Sequence, residues 1–171
     1  VDYFDRVCLV VKGLKGMVVG AVGARTSAFK TVRLDEVALQ RRGITVETFD
    51  LSDVFARMRS VDENGRKYQD KSATLKGYAD FSSVPQSAYD NIARLAVALD
   101  DIIEECRLDA VALRCWIEMQ QQIGISPCVV LGELNDRLIP AACEVDVGNA
   151  VAMYALSRAS GGAAACLDWN N

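Results

Sequence analysis

The chain has 171 residues, 51% of them hydrophobic, with a formal charge of −4 and no histidine. This length can enclose one sizeable core, and a negative chain without a long basic run argues against a nucleic-acid or anionic-membrane surface. The lack of histidine excludes a Ser-His-Asp or Cys-His catalytic unit within these residues. No apolar run reaches the roughly 20 residues that span a bilayer and no leader opens the chain, so we expect a cytoplasmic protein.

Residues 1–24 predict a helix followed by a buried strand. The amphipathic pattern up to Lys15 predicts a helix, and we expect residues 1–16 to be carried over from a preceding domain, with residues 17–171 forming an α/β domain. The apolar run from Met17 to Ala24 is bounded by glycines, which is typical of a buried parallel strand. The glycine spacing does not match a dinucleotide-binding loop.

The next segment predicts two helices, a strand and a polar surface excursion. A helix is expected from Phe29 to Arg42, followed by a β-branched, alternating strand from Ile44 to Asp50. A short helix through Val54 and Met58 comes next. The polar composition from Val61 to Lys76 predicts a surface excursion that turns at Asn64-Gly65, with charges that form a solvated face rather than a binding patch.

The remaining sequence alternates between strands and helices. Pro85 opens the longest predicted helix, whose apolar residues keep a spacing of three and four up to Cys106. The predicted elements after it are a strand over Leu108 to Trp116, a helix over Val129 to Asp136, a strand ending at Glu144, a helix over Val147 to Ser160, and a closing apolar run ending at Asp168. About five such alternations without a hairpin signal predict an α/β fold with a doubly wound, mostly parallel, Rossmann-like sheet.

The six cysteines are dispersed through the chain. None forms a Cys-x-x-Cys pair, and most lie in apolar runs, so we expect reduced, buried, structural thiols. Their spacing predicts neither a disulfide framework nor a zinc cluster. They are Cys8, Cys106, Cys115, Cys128, Cys143 and Cys166.

Two carboxylates stand where predicted parallel strands end. Glu144 and Asp168 each follow a short apolar run, with one helix-length stretch between them. Because the carboxyl ends of parallel strands face the ligand crevice, we expect both side chains in one site, where they could hold a hard divalent cation and transfer protons. Asp146 is better placed to cap the following helix. The residues alone leave a metal or acid–base role for the pair and a structural role equally open.

Several segments resemble the L-fucose isomerase family of ketol isomerases. The likeness extends from about Arg25 onward and is most specific from Val129 to Asn171. It is carried by Arg114-Cys-Trp, Leu131-Gly-Glu-Leu-Asn, Ala142-Cys-Glu-Val-Asp, Ser160-Gly-Gly and Leu167-Asp.

The resemblance implies roles for the two carboxylates. In that family the matching glutamate and aspartate are manganese ligands and proton-transfer groups, which implies the same for Glu144 and Asp168. A histidine from a later domain is the family's third ligand, and this chain has none. The resemblance therefore implies a fragment of a larger, multidomain homo-oligomer that is inactive by itself.

The implied reaction is aldose–ketose interconversion of a small sugar through an enediol, with Mn²⁺ or another divalent cation such as Mg²⁺ polarising the C1 and C2 oxygens. Arg25, Trp116 and Glu118, at other strand exits, are possible sugar contacts, although each also suits a structural role. The alternative function is a non-catalytic sugar-binding or regulatory α/β domain.

Overall fold

The computed structural model describes residues 1–167, which form a parallel sheet covered by helices on both faces. Within these residues the sheet has four strands in the spatial order β2-β1-β3-β4, all parallel. This arrangement confirms the predicted α/β, Rossmann-like fold class. The strands are β1 (Val18–Val22), β2 (Thr45–Phe49), β3 (Ala110–Leu113) and β4 (Ala141–Cys143).

The helices account for most of the described chain. A short 3-10 turn, Lys30–Val32, precedes the second of them. They are α1 (Asp2–Leu14), α2 (Glu36–Arg41), α3 (Leu51–Ser60), α4 (Arg66–Tyr78), α5 (Gln86–Cys106), α6 (Glu118–Ile123), α7 (Cys128–Asp136) and α8 (Val147–Ser160).

Strand alternation divides the core into two layers. On one face, Val22 and Leu113 pack against α3, α4, α5 and α7. On the other, Val19 and Ala112 pack against α8, with partly buried residues of α1 and α2 at the edge. Both faces of every central strand are buried, which is why β1 and β3 are almost wholly apolar.

Two predicted elements differ from the structure. The helix expected from Phe29 to Arg42 is only the 3-10 turn and α2, because Asp35 caps a new helix by accepting from the Ala38 N–H at 3.0 Å. The polar stretch from Val61 to Lys76, expected as a surface excursion, turns at Asn64-Gly65 as predicted, but most of it is the helix α4. Tyr68 and Leu75 form a narrow buried stripe on this otherwise hydrophilic helix.

The outermost helix, α1, lies against α8. Arg6 Nη1 donates to the Ala159 carbonyl at 2.6 Å, and none of the side chains of α1 is fully buried. No helix among residues 1–167 has the length and hydropathy needed to cross a bilayer. At the other end, residues 163–167 belong to no strand, and Asp168 lies outside the described residues.

Candidate functional site

A sharp turn at the end of β4 places Glu144 at the carboxyl edge of the sheet. Both Glu144 (φ 59°) and Val145 (φ 57°) adopt left-handed backbone conformations, which are uncommon for residues other than glycine. Asp146 then caps α8 by accepting from the Asn149 N–H at 2.9 Å. The chain thus reverses within two residues, and Glu144 stays beside the strand ends instead of joining the helix.

Glu144 lies in a cluster with two thiols. Cys115 Sγ is 2.6 Å from Glu144 Oε1 and 2.8 Å from Cys143 Sγ, while Cys143 Sγ is 3.8 Å from the same oxygen. The register of β3 and β4 explains why the two thiols lie close together. Leu113 pairs with Cys143, and Cys115 follows Leu113 on the same side two residues later. Three potential metal ligands therefore converge within 4.8 Å of one another.

The surroundings of Cys115 keep the proton on its sulfur. The pKa of the Cys115 thiol lies well above its usual value, first because of its hydrogen bond with Cys143, then because of burial and the bond to Glu144. Glu144 Oε2 is buried and has no hydrogen-bond partner within residues 1–167. A buried carboxylate oxygen without a partner is costly, so this atom is suited to a cation or a ligand hydroxyl.

Arg114 joins the two loops that form the rim of the site. Its Nη1 donates to the Ala24 carbonyl at 3.1 Å after β1, and its Nε donates to the Trp116 carbonyl at 3.0 Å after β3. Its Nη2 lies 2.6 Å from Glu118 Oε1. The pKa of Glu118 is lowered overall: burial raises it, but backbone hydrogen bonds and the charge of Arg114 outweigh that effect. Glu118 thus has a structural partner within this rim.

Trp116 and Arg25 lie on the same rim. The Trp116 ring is 48% exposed and packs edge-on against Phe29, with ring centroids 5.6 Å apart. Thr26 Oγ1 donates to the Trp116 carbonyl at 3.2 Å, and Arg25 Nη1 donates to the Phe29 carbonyl at 3.2 Å. The loop after β1 is therefore fixed against the loop after β3.

A cavity of about 390 Å³ opens beside the turn that carries Glu144. Arg25 and Arg33 line it, together with Val145 and Val147 from that turn and Glu36 from α2. Neither arginine forms an ion pair with any residue in the described part of the chain. Two such guanidinium groups in a cavity of ligand size favour an anionic group as occupant.

The structure brings some predicted site residues together and leaves one outside its description. Glu144, Arg25, Trp116 and Glu118 all lie at the carboxyl edge of the sheet. Asp168 lies outside the described residues, so its proximity to Glu144 stays a prediction.

Two thiols, those of Cys115 and Cys143, belong to the cluster with Glu144, which their spacing in the sequence did not indicate. The cysteines were expected to be buried and structural, but Cys106, Cys128 and Cys166 are exposed, and only Cys115 is fully buried. Cys115 and Cys143 meet because β3 and β4 are neighbours in the sheet. That pairing depends on strand order, which the sequence did not indicate.

The comparisons with known proteins find sequence similarity to sugar isomerases. No family model matches the chain. It is 29% identical over 160 residues to a sulfoquinovose isomerase of Alkalicoccus urumqiensis, and 30% identical over 159 residues to one of Clostridium sp. (strain MSTE9). The chain is similar to sulfoquinovose isomerases. These alignments cover 93% and 92% of the chain but only 36% and 35% of the relatives, so the chain spans about a third of their length.

A further relative, from Priestia aryabhattai, carries the same name at 24% identity over 161 residues. The similarity supports the expected sugar isomerase class. The likeness to L-fucose isomerase in particular, the manganese ion and the oligomer stay predictions.

Proposed function

We propose that this chain is the part of a divalent-cation-dependent sugar isomerase that supplies the proton-transferring carboxylate, and that the sugar carries a sulfo group. The observation that carries the proposal is Glu144 at the carboxyl edge of the sheet, whose buried Oε2 has no hydrogen-bond partner among the residues that the structure describes. The similarity to sulfoquinovose isomerases along 92% or more of the chain supports the reaction class.

Glu144 suits the proton transfer that aldose–ketose interconversion requires. A carboxylate can remove the proton from one carbon of the sugar and return it to the neighbouring carbon, provided that it lies within hydrogen-bond reach. Its Oε1 is fixed by the Cys115 thiol, which leaves Oε2 as the atom available to the sugar or to a cation. A bound Mn²⁺ or Mg²⁺ would supply polarisation of the two sugar oxygens, with Glu144 and Asp168 as its proposed ligands.

The cavity beside Glu144 suits the sulfo group. Sulfonate oxygens accept hydrogen bonds much as phosphate and carboxylate oxygens do, and the arginine fork can donate two at once. Arg25 is the better placed of the two arginines because its Nη1 is already anchored to the Phe29 carbonyl. Trp116, on the same rim, offers an exposed ring against which a sugar face can pack.

Isomerisation by the native protein that carries this chain tests the function. After treatment with a chelator, we expect conversion of sulfoquinovose to its ketose to disappear, and to return when Mn²⁺ is added. Conversion that is unaffected by chelation, or no conversion of any sulfo sugar with Mn²⁺ present, would contradict the proposal. We also propose that the whole protein is cytoplasmic and homo-oligomeric. Sedimentation of the same sample would measure its oligomeric state.

The sulfonate contact has its own test. The Arg25→Gln variant should raise KM for sulfoquinovose by about tenfold or more, the loss expected for one charge-assisted hydrogen-bonded contact, and should leave KM for the sugar without a sulfo group nearly unchanged. Arg41→Gln is the matched control, since Arg41 is an exposed cation at the end of α2 that does not line the cavity. Equal changes for both sugars would remove Arg25 from sulfonate recognition.

A further inference from the structure

We propose that Cys115, Cys143 and Glu144 form a second metal-binding mode, one that takes a thiophilic divalent cation such as Zn²⁺ or Cd²⁺. The three donor atoms already converge within 4.8 Å, on two adjacent strands and the turn after one of them. The dispersed cysteine positions gave no sign of such a site, because only the pairing of β3 with β4 assembles it.

The geometry requires only small side-chain movements. Zinc binds cysteine sulfur at about 2.3 Å and carboxylate oxygen at about 2.0 to 2.2 Å, so two sulfurs of a tetrahedral centre lie nearly 4 Å apart. The Cys115 and Cys143 sulfurs are now 2.8 Å apart and would separate by roughly 1 Å, through rotation about χ1, to admit the ion. Three protein ligands leave the fourth position to water or a sugar hydroxyl.

The donor set separates this mode from the one proposed for isomerisation. Mn²⁺ and Mg²⁺ prefer oxygen ligands, whereas thiolates select softer cations. When a soft cation binds, both thiols lose their protons to solvent, and two thiolates with one carboxylate place three negative charges around a doubly charged ion. Cys115 is only 5% exposed, which shields these metal–sulfur bonds from water.

Both modes use Glu144, so they exclude each other. A cation held by the two thiolates occupies the carboxylate that the proposed isomerase needs for proton transfer. The site would therefore respond to soft cations by losing turnover. Binding itself stands on the thiol geometry alone, and only this effect on turnover rests on the proposed function.

Cadmium titration of the native protein tests the binding. The protein is stripped of metal, kept reduced with a phosphine, and titrated with Cd²⁺ while the ultraviolet absorption of cadmium–thiolate bonds is recorded. We expect a saturating signal, with Cys115→Ser and Cys143→Ser each weakening the affinity by more than about a hundredfold, beyond the range seen for outer-shell partners of a metal. Cys128→Ser is the matched control, because Cys128 is exposed on α7 and outside the cluster.

The outcomes separate this inference from the proposed function. An unchanged cadmium affinity in both Cys115→Ser and Cys143→Ser, or an equal loss in Cys128→Ser, would overturn the thiolate site. A folded state of each variant is verified by its thermal unfolding, and Cys143→Ser serves if Cys115→Ser does not fold. Cadmium absorption that depends on Cys115, in a protein that isomerises no sugar, would support the site while rejecting the proposed function.

Discussion

Gly23 directly follows β1 and begins the loop that forms part of the rim of the candidate site. Its φ is +89°, and an added Cβ would lie 2.8 Å from Arg114 Cβ and 3.0 Å from Leu51 Cγ. We therefore expect Gly23→Ala to lower the free energy of unfolding by about 1 to 3 kcal/mol, because a left-handed conformation and a steric overlap act together. Urea denaturation of this chain measures the change.

Gly77 provides the control for that substitution. It lies within α4, and an added Cβ would meet no atom within 4 Å. Gly77→Ala should raise the free energy of unfolding by about 0.5 to 1 kcal/mol through better helix propensity. If Gly23→Ala proved as stable as Gly77→Ala, the close packing of Arg114 over β1 would be refuted.

Tyr68 should make the free energy of unfolding depend on pH in the alkaline range. Burial, and then its hydrogen bond to Asp90, raise the pKa of this phenol to about 12. Because the folded pKa exceeds the unfolded value of about 10, the stabilisation is complete below pH 10 and is lost as the pH rises through about 12. The difference in unfolding free energy between the parent and Tyr68→Phe should shrink over that window.

Tyr3, whose side chain is 82% exposed, supplies the comparison. Tyr3→Phe should differ from the parent by only a small amount, because an exposed side chain away from the core contributes little to the free energy of unfolding. A parent–Tyr68→Phe difference that stays constant between pH 9 and 12 would show that the phenol of Tyr68 is not selectively protonated in the folded chain.

The helix α4 was not predicted from its polar sequence, and an ion network explains how it is held against α5 and α7. Lys71 Nζ lies 2.6 Å from Asp100 of α5 and 3.1 Å from Glu133 of α7, while Arg137 contacts both acids. The Lys71 and Glu133 side chains are only 10% and 3% exposed. The composition of α4 is that of a solvent-exposed helix, yet ion pairs hold it against α5 and α7. The sequence does not show which charged residues form these pairs.

The expected cost of breaking this network is large. Lys71→Met should lower the free energy of unfolding by about 3 kcal/mol, since it leaves the buried Glu133 and the partly buried Asp100 with Arg137 as their single cation. Lys67→Met is the control on the same helix: the lysine of its ion pair with Asp101 is 70% exposed, so its loss should change the free energy of unfolding far less than the loss of Lys71. Equal losses for the two variants in urea denaturation would contradict the network.

For the whole molecule, the alternation of strands and helices was sufficient to predict the fold class and the position of Glu144 and Arg25 at the carboxyl edge of the sheet. Apolar runs that end in Glu144 and beside Arg25 mark strand exits, and strand exits of a parallel sheet share one edge. The thiol cluster was not predictable, because it requires β3 and β4 to be neighbours. The closing strand expected before Asp168 has no counterpart in residues 163–167.

Hydrogen exchange into the sugar tests directly whether Glu144 transfers the proton. The native protein that carries this chain is incubated with Mn²⁺ and sulfoquinovose in D₂O, and deuterium entering the sugar at C2 is followed by NMR. We predict exchange in the parent, a loss of at least about a hundredfold in Glu144→Gln, and no change in the control Glu47→Gln, whose side chain is exposed on β2. Undiminished exchange in Glu144→Gln would show that another group moves the proton.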